Sequence, residues 1–328
     1  MKKLFCLILS VMMILSLTAC AASEPAAAPE ADMTYTVAIV QQLDHSSLDE
    51  IRTAIEAQLN ALAEPTNYTI SIKTYNGQND ASMLNQIGTE VVADGFDMII
   101  PIATLAAQSM VTAADGTDIP IVYAAISDPE GAGLTDIPTV TGVSDALNTN
   151  FIMDMMFAAD PTIQTVGLLY SNSEINSEAP IRDAKAYLDA KGISYVEKTG
   201  NTANEVIAAA SDLVGRVDAV FTPTDNVIMA SEAAVAELLN EAGIPHYTGA
   251  DSFVTSGAFT TCGVNYTELG TKTADIAFGI LQGGAISDFH IMDGGIITVN
   301  TETAELCGID YAVFKDMANT VIEVTTAE

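Results

Sequence analysis

Basic residues are scarce in this chain, which has 11 lysines and arginines against 43 aspartates and glutamates and a formal net charge of −32. A surface this acidic repels nucleic acid and anionic lipid alike, so we expect the protein to bind neither. The charge favours solubility and says little about the fold.

Histidine and cysteine are also rare, with three and four residues. No cysteine/histidine cluster has the spacing of a zinc site, and the sequence contains no Gly-x-Ser-x-Gly elbow, Walker loop, dinucleotide fingerprint or His-Glu-x-x-His helix. We therefore predict a protein that is not an enzyme and uses no metal and no cofactor. Cys262 and Cys307 could form a disulfide, but the prediction is that each is a small, unpaired, buried residue.

The first twenty residues carry a targeting signal. A basic start precedes an apolar run over 4–17, which is shorter than the roughly 20 residues that span a membrane. The run ends in Leu17-Thr18-Ala19-Cys20, which resembles the lipobox of bacterial lipoproteins. We therefore predict a signal peptide over 1–19, lipidation of Cys20, a flexible spacer over 20–33 and an extracytoplasmic domain anchored to the cell membrane. The alternative is an ordinary signal peptide in which Cys20 has no role.

Short β-rich runs alternate with longer helical segments in the rest of the chain. The first strands are predicted over Tyr35–Val40, Thr69–Thr74, Asp97–Ile102 and Pro120–Ala125, and the intervening helices over Leu48–Leu62, Ser82–Ala93 and Ala106–Ala114. This alternation predicts an α/β fold of βαβ units, in which helices cover both faces of a parallel sheet.

The strand pattern then repeats. The segments 36–40, 96–100 and 119–123 are echoed, in the same order, by 165–169, 217–221 and 244–248. We therefore predict two Rossmann-like lobes with parallel sheets joined by hinge strands. The predicted boundaries are an N-terminal lobe over 34–145, to which 265–295 returns, a C-terminal lobe over 146–264, and a hinge return with the C-terminal segment over 296–328.

Polar residues follow the predicted strands, where open parallel sheets bind their ligands. They are hydroxyls, amides and carboxylates without a lysine or arginine, which favours a zwitterion over a polyanion. The ligand carboxylate is predicted at the N–H groups and hydroxyl of Thr104 and Ala106, and the ammonium at Asp251 or, second, Asp225. Helix capping is the alternative role for Thr104 and for each aspartate. Four aromatic residues are candidates for either the pocket or the core: Tyr123, Tyr170, Phe253 and Tyr266.

Several of these segments resemble one protein family. They are 44–49 (DHSSLD), 102–108 (IATLAAQ), 127–134 (SDPEGAGL), 141–145 (TGVSD), 170–177 (YSNSEINS) and 223–226 (PTDN). Together they resemble the substrate-binding lipoproteins of ABC transporters with the type I periplasmic-binding fold, in the subclass linked to uptake of tryptophan, tyrosine or phenylalanine. Related chains usually have His-Pro and Thr-Pro where this one has His45-Ser46 and Thr104-Leu105, and both differences lie at the predicted cleft.

The resemblance implies a receptor that closes two lobes on a small ligand, an aromatic or apolar amino acid. The receptor would pass this ligand to a membrane permease powered by a separate ATPase. Strand-end position and resemblance together give these predicted ligand contacts: Gln42, His45, Thr104, Ala106, Ser127, Asp128, Asp145, Ser173, Asn176, Asp225, Asn226 and Asp251. The alternatives are a sugar- or nucleoside-binding relative, a surface hydrolase that uses His45, and a sensory co-receptor.

Overall fold

The structure is a computed structural model that describes residues 33–327. The predicted signal peptide over 1–19 and the predicted lipidation site Cys20 lie outside the described residues, as does the spacer over 20–33 apart from Met33. Within the described residues, no helix combines the length and apolar character that a membrane span requires. The same residues contain no group of histidine, cysteine and carboxylate side chains arranged to hold a metal ion.

Strands and helices alternate along the first lobe. They are β1 (Met33–Gln41), α1 (Ser46–Ala63), β2 (Tyr68–Asn76), α2 (Ala81–Asp94), β3 (Met98–Ile102), α3 (Thr104–Ala113), β4 (Ile121–Ala124) and β5 (Val140–Ser144). A short strand from much later in the chain, β11 (His290–Ile291), completes a six-stranded sheet of order β11-β5-β4-β3-β1-β2. The pairs from β11 to β1 are all parallel.

The second lobe repeats the alternation and is longer. Its first elements are α4 (Thr149–Ala159), β6 (Thr165–Tyr170), a 3-10 turn (Ile175–Ser177), α5 (Glu178–Lys191), β7 (Ser194–Thr199), α6 (Ala203–Leu213) and β8 (Ala219–Thr222). They are followed by α7 (Asn226–Met229), α8 (Glu232–Glu241), β9 (His246–Thr248), α9 (Asp251–Thr255), β10 (Thr260–Gly263), β12 (Ile296–Asn300), α11 (Thr301–Cys307), α12 (Phe314–Met317) and β13 (Thr320–Val324). The sheet has the order β13-β12-β10-β9-β8-β6-β7.

The two sheets have the same core topology. The order β2-β1-β3-β4-β5 in the first sheet corresponds to β7-β6-β8-β9-β10 in the second. The predicted fold of two Rossmann-like lobes is therefore confirmed, and the sequence echoes fall on β1 and β6, β3 and β8, and β4 and β9.

The last part of the chain is divided between the lobes. Helix α10 (Tyr266–Leu281) packs against α1 and β4 of the first lobe. Residues 296–328, predicted as a hinge return with the C-terminal segment, contribute β12 and β13 to the second sheet, where β12 runs antiparallel to β10. The predicted lobe boundaries stay a prediction.

Local sequence explains where the elements begin and why they are buried. Every residue of β3 and β4 is buried, as expected for strands covered by helices on both faces. Asp80, Asn148, Asn265 and Asn300 each accept a backbone N–H at the start of a helix, which satisfies donors that have no partner within the helix. Gly95 ends α2 in the left-handed conformation, with φ of 69°, which glycine adopts without steric cost.

Three short segments connect the lobes: 145–148 after β5, 264–265 after β10 and 292–295 before β12. A hinge of a few such residues can absorb the backbone rotation of lobe closure. Cys262 is buried and Cys307 half-buried, and both are free thiols in this structure, so the predicted burial holds for Cys262 and only in part for Cys307.

Candidate functional site

A narrow cavity lies between the lobes, where loops at the carboxyl ends of both sheets meet. The first lobe and the hinge contribute His45, Ser47, Leu48, Ala103, Thr104, Ala125, Ser127, Asp145 and Tyr266. The second lobe contributes Asn176, Thr224, Asp225, Asn226, Met229, Ala250, Ser252 and Phe253. The cavity has a volume of only about 30 Å³. A ligand larger than a water molecule therefore needs the lobes to separate before it can enter.

A larger pocket of about 550 Å³ lies at the hinge and shares Asp145 and Tyr266 with this cavity. It is lined mainly by the connecting segments and by residues 315–319. The smaller cavity is the better candidate site, because it collects strand-end residues from both lobes, as ligand sites of parallel sheets do.

The structure brings together some of the predicted ligand contacts and not others. Those that line the cavity are His45, Thr104, Ser127, Asp145, Asn176, Asp225 and Asn226. Those that do not line it are Gln42, Ala106, Asp128, Ser173 and Asp251.

Gln42 and Ala106 lie behind the cavity wall. The Gln42 side-chain oxygen accepts the backbone N–H of Leu105 at 3.0 Å, so Gln42 caps the first turn of α3. Ala106 is fully buried in α3. Both residues therefore support the helix start that Thr104 presents to the cavity.

Asp128 and Ser173 are used within their own loops. Oδ1 of Asp128 accepts the backbone N–H of Gly131 at 2.9 Å, and Oγ of Ser173 lies 2.7 Å from Oγ of Ser171. Asp128 therefore has the turn-forming role that was the alternative for a strand-end aspartate.

Asp251, the first choice for the ammonium partner, does not line the cavity. It is the first residue of α9, and its Oδ1 accepts a hydrogen bond from Ser47 at 3.3 Å. Its neighbours Ala250 and Ser252 line the cavity instead. The geometry therefore does not support Asp251 as the ammonium partner.

Asp225, the second choice, lines the cavity but its carboxylate is already saturated. Oδ1 accepts the N–H groups of Val227 and Ile228, both at 3.0 Å. Oδ2 accepts the Ser171 N–H and the Ser177 hydroxyl, both at 2.7 Å. A carboxylate has about four lone-pair sites, so none remains for an ammonium group. Asp225 is the N-cap of α7.

Asp145 has the carboxylate that remains available. It lies at the start of the first connecting segment and is 6% exposed. Oδ1 accepts a hydrogen bond from Ser127 at 3.0 Å, and Oδ2 has only a long contact of 3.5 Å from the Tyr266 hydroxyl. Burial raises the pKa of the Asp145 carboxyl group. An ammonium group in the cavity would supply the missing charge partner.

The start of α3 provides a complementary, positive end. Helix N-termini carry backbone N–H groups without partners in the helix and attract carboxylates. Thr104 opens the helix, and its neighbour Ala103 has φ of 73°. Ala125, which also lines the cavity, has φ of 57°. Non-glycine residues in the left-handed region cost free energy and concentrate at binding sites.

The remaining wall is largely apolar. Leu48, Met229 and Phe253 line it together with Tyr266. Of the four aromatic candidates, Phe253 and Tyr266 therefore lie at the cavity, whereas Tyr123 and Tyr170 lie at other pockets.

Two buried polar atoms of the cavity residues have no hydrogen-bond partner: Nδ1 of His45 and Oγ of Ser252. A buried polar atom without a partner is costly and rare in proteins. These atoms are therefore available to a ligand.

Sequence reasoning missed some lining residues: Ser47, Leu48, Ala103, Ala125, Thr224, Met229, Ala250 and Ser252. Thr224 belongs to the PTDN segment. Most of the others stand within three residues of a predicted contact, so adjacency was the available signal.

Side-chain hydrogen bonds cross directly from one lobe to the other. The pairs are Gln42–Glu174 (2.9 Å), His45–Asn226 (3.2 Å), Ser47–Asp251 (3.3 Å) and Ser127–Thr224 (2.9 Å). The lobes are therefore in a closed arrangement.

A hydrolytic role finds no geometric support in the histidines of the lobes. Nε2 of His45 faces the amide oxygen of Asn226, not a nucleophile. His246 bonds Glu232 at 2.9 Å and Thr222 at 2.8 Å, which resembles a catalytic triad in connectivity. All three side chains are buried, so no substrate reaches them.

Comparison with known proteins agrees with this architecture. Residues 36–314 match the family model described as ABC transporter substrate binding protein. A tyrosine-binding protein from Clostridioides difficile is 32% identical over 274 residues, which cover 81% of this chain and 79% of that protein.

Two solved structures are informative about the closed arrangement. The ABC domain in complex with L-Trp from Streptococcus pneumonia is 28% identical, with a TM-score of 0.81, over 88% of this chain and 100% of that one. A ligand-free, open substrate-binding protein with adhesive properties from Clostridium difficile is 30% identical over 89% of this chain and 100% of that one, but its TM-score is 0.67. At similar identity and coverage, the chain therefore superposes better on the ligand complex than on the open, ligand-free structure. The family is one of binding proteins, not of enzymes. By fold, cavity position and sequence match over most of its length, the chain belongs to the ABC transporter substrate-binding proteins.

Proposed function

We propose that this protein is the lipid-anchored, extracytoplasmic receptor of an ABC importer, and that it captures an amino acid with an aromatic or apolar side chain. Lobe closure would bury the ligand and favour the closed state by the contacts made to both lobes. A membrane permease and a separate ATPase would then receive the ligand and drive its transport.

One observation carries the ligand class: a buried carboxylate faces the same cavity as a helix N-terminus. Asp145 would bind the ammonium group and the start of α3, with Thr104, the carboxylate. Phe253, Met229 and Leu48 would contact the side chain. The named ligands of the two similar proteins, tyrosine and L-Trp, support an aromatic amino acid.

A ligand screen tests the class. The purified domain is heated with each of the common amino acids, and with sugars and nucleosides, and its melting temperature is measured. A ligand at 100 times its Kd stabilises by about 2.7 kcal/mol. We expect aromatic or large apolar amino acids to raise the melting temperature. Stabilisation by a sugar or nucleoside alone would replace the proposal with the corresponding relative of this fold.

The membrane anchor rests on the lipobox resemblance around Cys20. We expect the full-length protein, expressed in a bacterium, to partition into detergent and to incorporate labelled fatty acid. Cys20→Ala should abolish both, whereas the control Cys307→Ala should not. Equal labelling of both variants would contradict lipidation at Cys20.

The importer role is tested by uptake. Cells that lack the receptor should take up the identified amino acid more slowly, and the parent gene should restore the rate. Unchanged uptake in these cells, together with ligand binding by the purified domain, would favour the sensory alternative.

A further inference from the structure

Glu174 occupies the interface between the lobes without lining the ligand cavity. It lies in the loop between β6 and the 3-10 turn, and it is 4% exposed. Its side chain is one of the few charged groups buried between the lobes. Such a group needs hydrogen-bond partners to offset the loss of water.

Both of its carboxyl oxygens have amide partners, one on each lobe. Oε1 accepts a hydrogen bond from Nε2 of Gln42, in the first lobe, at 2.9 Å. Oε2 accepts one from Nδ2 of Asn226, in the second lobe, at 2.7 Å. The carboxyl group therefore bridges the cleft.

The side-chain amides of Gln42 and Asn226 also contact residues at the ligand cavity. The side-chain oxygen of Gln42 holds the Leu105 N–H at the start of α3, where a ligand carboxylate is expected. Asn226 lines the cavity and bonds His45 across the cleft. Glu174 thus supports one wall of the cavity in each lobe.

We propose that Glu174 is a positioning residue that latches the two lobes together through Gln42 and Asn226, and that its protonation favours closure and hence ligand capture. The inference rests on the proposed function, because it concerns how the same receptor closes.

The electrostatic surroundings explain the role of the proton. Burial and, second, the nearby charge of Asp225 raise the pKa of Glu174 from its ordinary 4.5 to about 7. The hydrogen bonds from Asn226, Asn176 and Gln42 oppose this rise. From the first lobe, the neutral side chain of Gln42 contacts Glu174 directly. His45 lies on the far side of Asn226, and burial lowers its pKa.

Opening the cleft would return water to the carboxyl group and bring its pKa back towards 4.5. Closure therefore takes up a proton between about pH 4.5 and 7, and the closed state becomes more favourable as the pH falls through this window. With a pKa of 4.5 in the open form and about 7 in the closed form, Glu174 alone should favour closure about 20-fold more at pH 5.5 than at pH 7.5. Affinity gains this whole factor if the free protein is mostly open.

The test measures the Kd of L-tyrosine and L-tryptophan by calorimetry from pH 5 to 8. Asp145 and His45 also titrate at the cavity, and every variant keeps them, so the test compares slopes. On acidification the parent should gain more affinity than Glu174→Gln, which is neutral at position 174 at every pH. The matched control is Glu178→Gln. It makes the same change four residues later on an exposed side chain, and it should keep the parent's slope.

Glu174→Ala removes the side chain that bridges the lobes, whereas Glu174→Gln removes only its charge. It should bind more weakly than Glu174→Gln at pH 7.5, because no side chain bridges the lobes. An equal change of Kd with pH in the parent and in Glu174→Gln would overturn the proposal.

Small-angle X-ray scattering of the ligand-free protein distinguishes this failure from failure of the proposed function. The radius of gyration of the parent should fall on acidification from pH 7.5 to 5.5, and that of Glu174→Gln should stay small. If neither amino acid binds but this difference is seen, the ligand assignment fails and the latch stands. If the parent's radius does not respond to pH, the latch fails whatever the ligand is.

Discussion

Replacing Asp145 by asparagine removes the one carboxylate that faces the cavity with an uncommitted oxygen. The substitution keeps the shape of the side chain and a carbonyl oxygen that can accept the Ser127 hydroxyl, now 3.0 Å from Oδ1. Only the negative charge and the acceptor for the ligand ammonium are lost.

The expected loss of affinity follows from that missing interaction. A hydrogen bond to a charged group contributes about 1.5–3 kcal/mol, which corresponds to roughly 10- to 150-fold in Kd. Asp145 lies in a buried site with little competing water, so we expect the upper half of this range.

The assay is a calorimetric titration with L-tyrosine and with its analogue that lacks the amino group. Asp145→Asn should weaken binding of the amino acid and have little effect on the analogue. Asp128→Asn makes the same chemical change outside the cavity and away from the contacts between the lobes, and it should leave the Kd nearly unchanged. Equal binding by parent and Asp145→Asn, or an equal loss for both ligands, would refute the role of Asp145.

The thermal stability of Asp145→Asn provides an independent check, because the direction of the pKa shift determines whether the variant melts above or below the parent. Burial raises the pKa of Asp145 in the folded protein. The folded state therefore binds this proton more tightly than the unfolded state, and stability from this group is lost as the pH rises through the folded pKa. In the absence of ligand, the variant should melt higher than the parent at pH 7.5, and the difference should narrow on acidification. A lower melting temperature at pH 7.5 would contradict this account.

Three further substitutions test the site and the packing around it. Phe253→Leu should weaken binding of an aromatic amino acid by about 2- to 10-fold relative to leucine, because ring–ring contact contributes about 0.5–1.5 kcal/mol; equal losses for both would contradict it. Asp225→Ala should lower the free energy of unfolding by at least about 3 kcal/mol in a urea titration, because four buried donors lose their acceptor; a smaller loss would mean that water replaces it. Gly142→Ala, in β5, should lower the free energy of unfolding by about 1–3 kcal/mol, because the new Cβ would lie 2.3 Å from both Cδ2 and the backbone oxygen of Tyr123; an unchanged unfolding midpoint would contradict this clash.

The fold was readable from sequence because buried parallel strands are short apolar runs and their spacing repeats. The strand predicted over Asp97–Ile102 and the helix predicted over Ser82–Ala93 match β3 and α2 to within one residue at each end. The sequence did not reveal which of the two sheets β12 joins. A strand's partner depends on contacts distant in sequence, and β12 pairs antiparallel with β10.

The candidate site was readable at the level of loops and not of side chains. Both Asp225 and Asp251 follow strands, as a ligand contact should. Asp225 turns its carboxylate to donors at Ser171 and Ser177, about fifty residues earlier, and no local pattern reveals this. Asp251 begins a helix, where a shift of one residue changes the direction of the side chain by about 100°. Its neighbours Ala250 and Ser252 therefore face the cavity instead.

The contacts between the lobes affect affinity as directly as contacts with the ligand. The Ser127–Thr224 bond closes the cleft without needing a ligand, and Ser127 also donates to Asp145. If a ligand binds tightly only to the closed state, its apparent Kd is the intrinsic Kd divided by the closed fraction of the free protein. Side chains that stabilise closure therefore raise affinity for every ligand, whereas side chains that contact the ligand, as proposed for Asp145 and Phe253, would discriminate among ligands. If the proposed importer role holds, delivery to a permease would have to reverse the same closure. Contacts such as Gln42–Glu174 would then limit how readily the ligand is released as well as how tightly it is held.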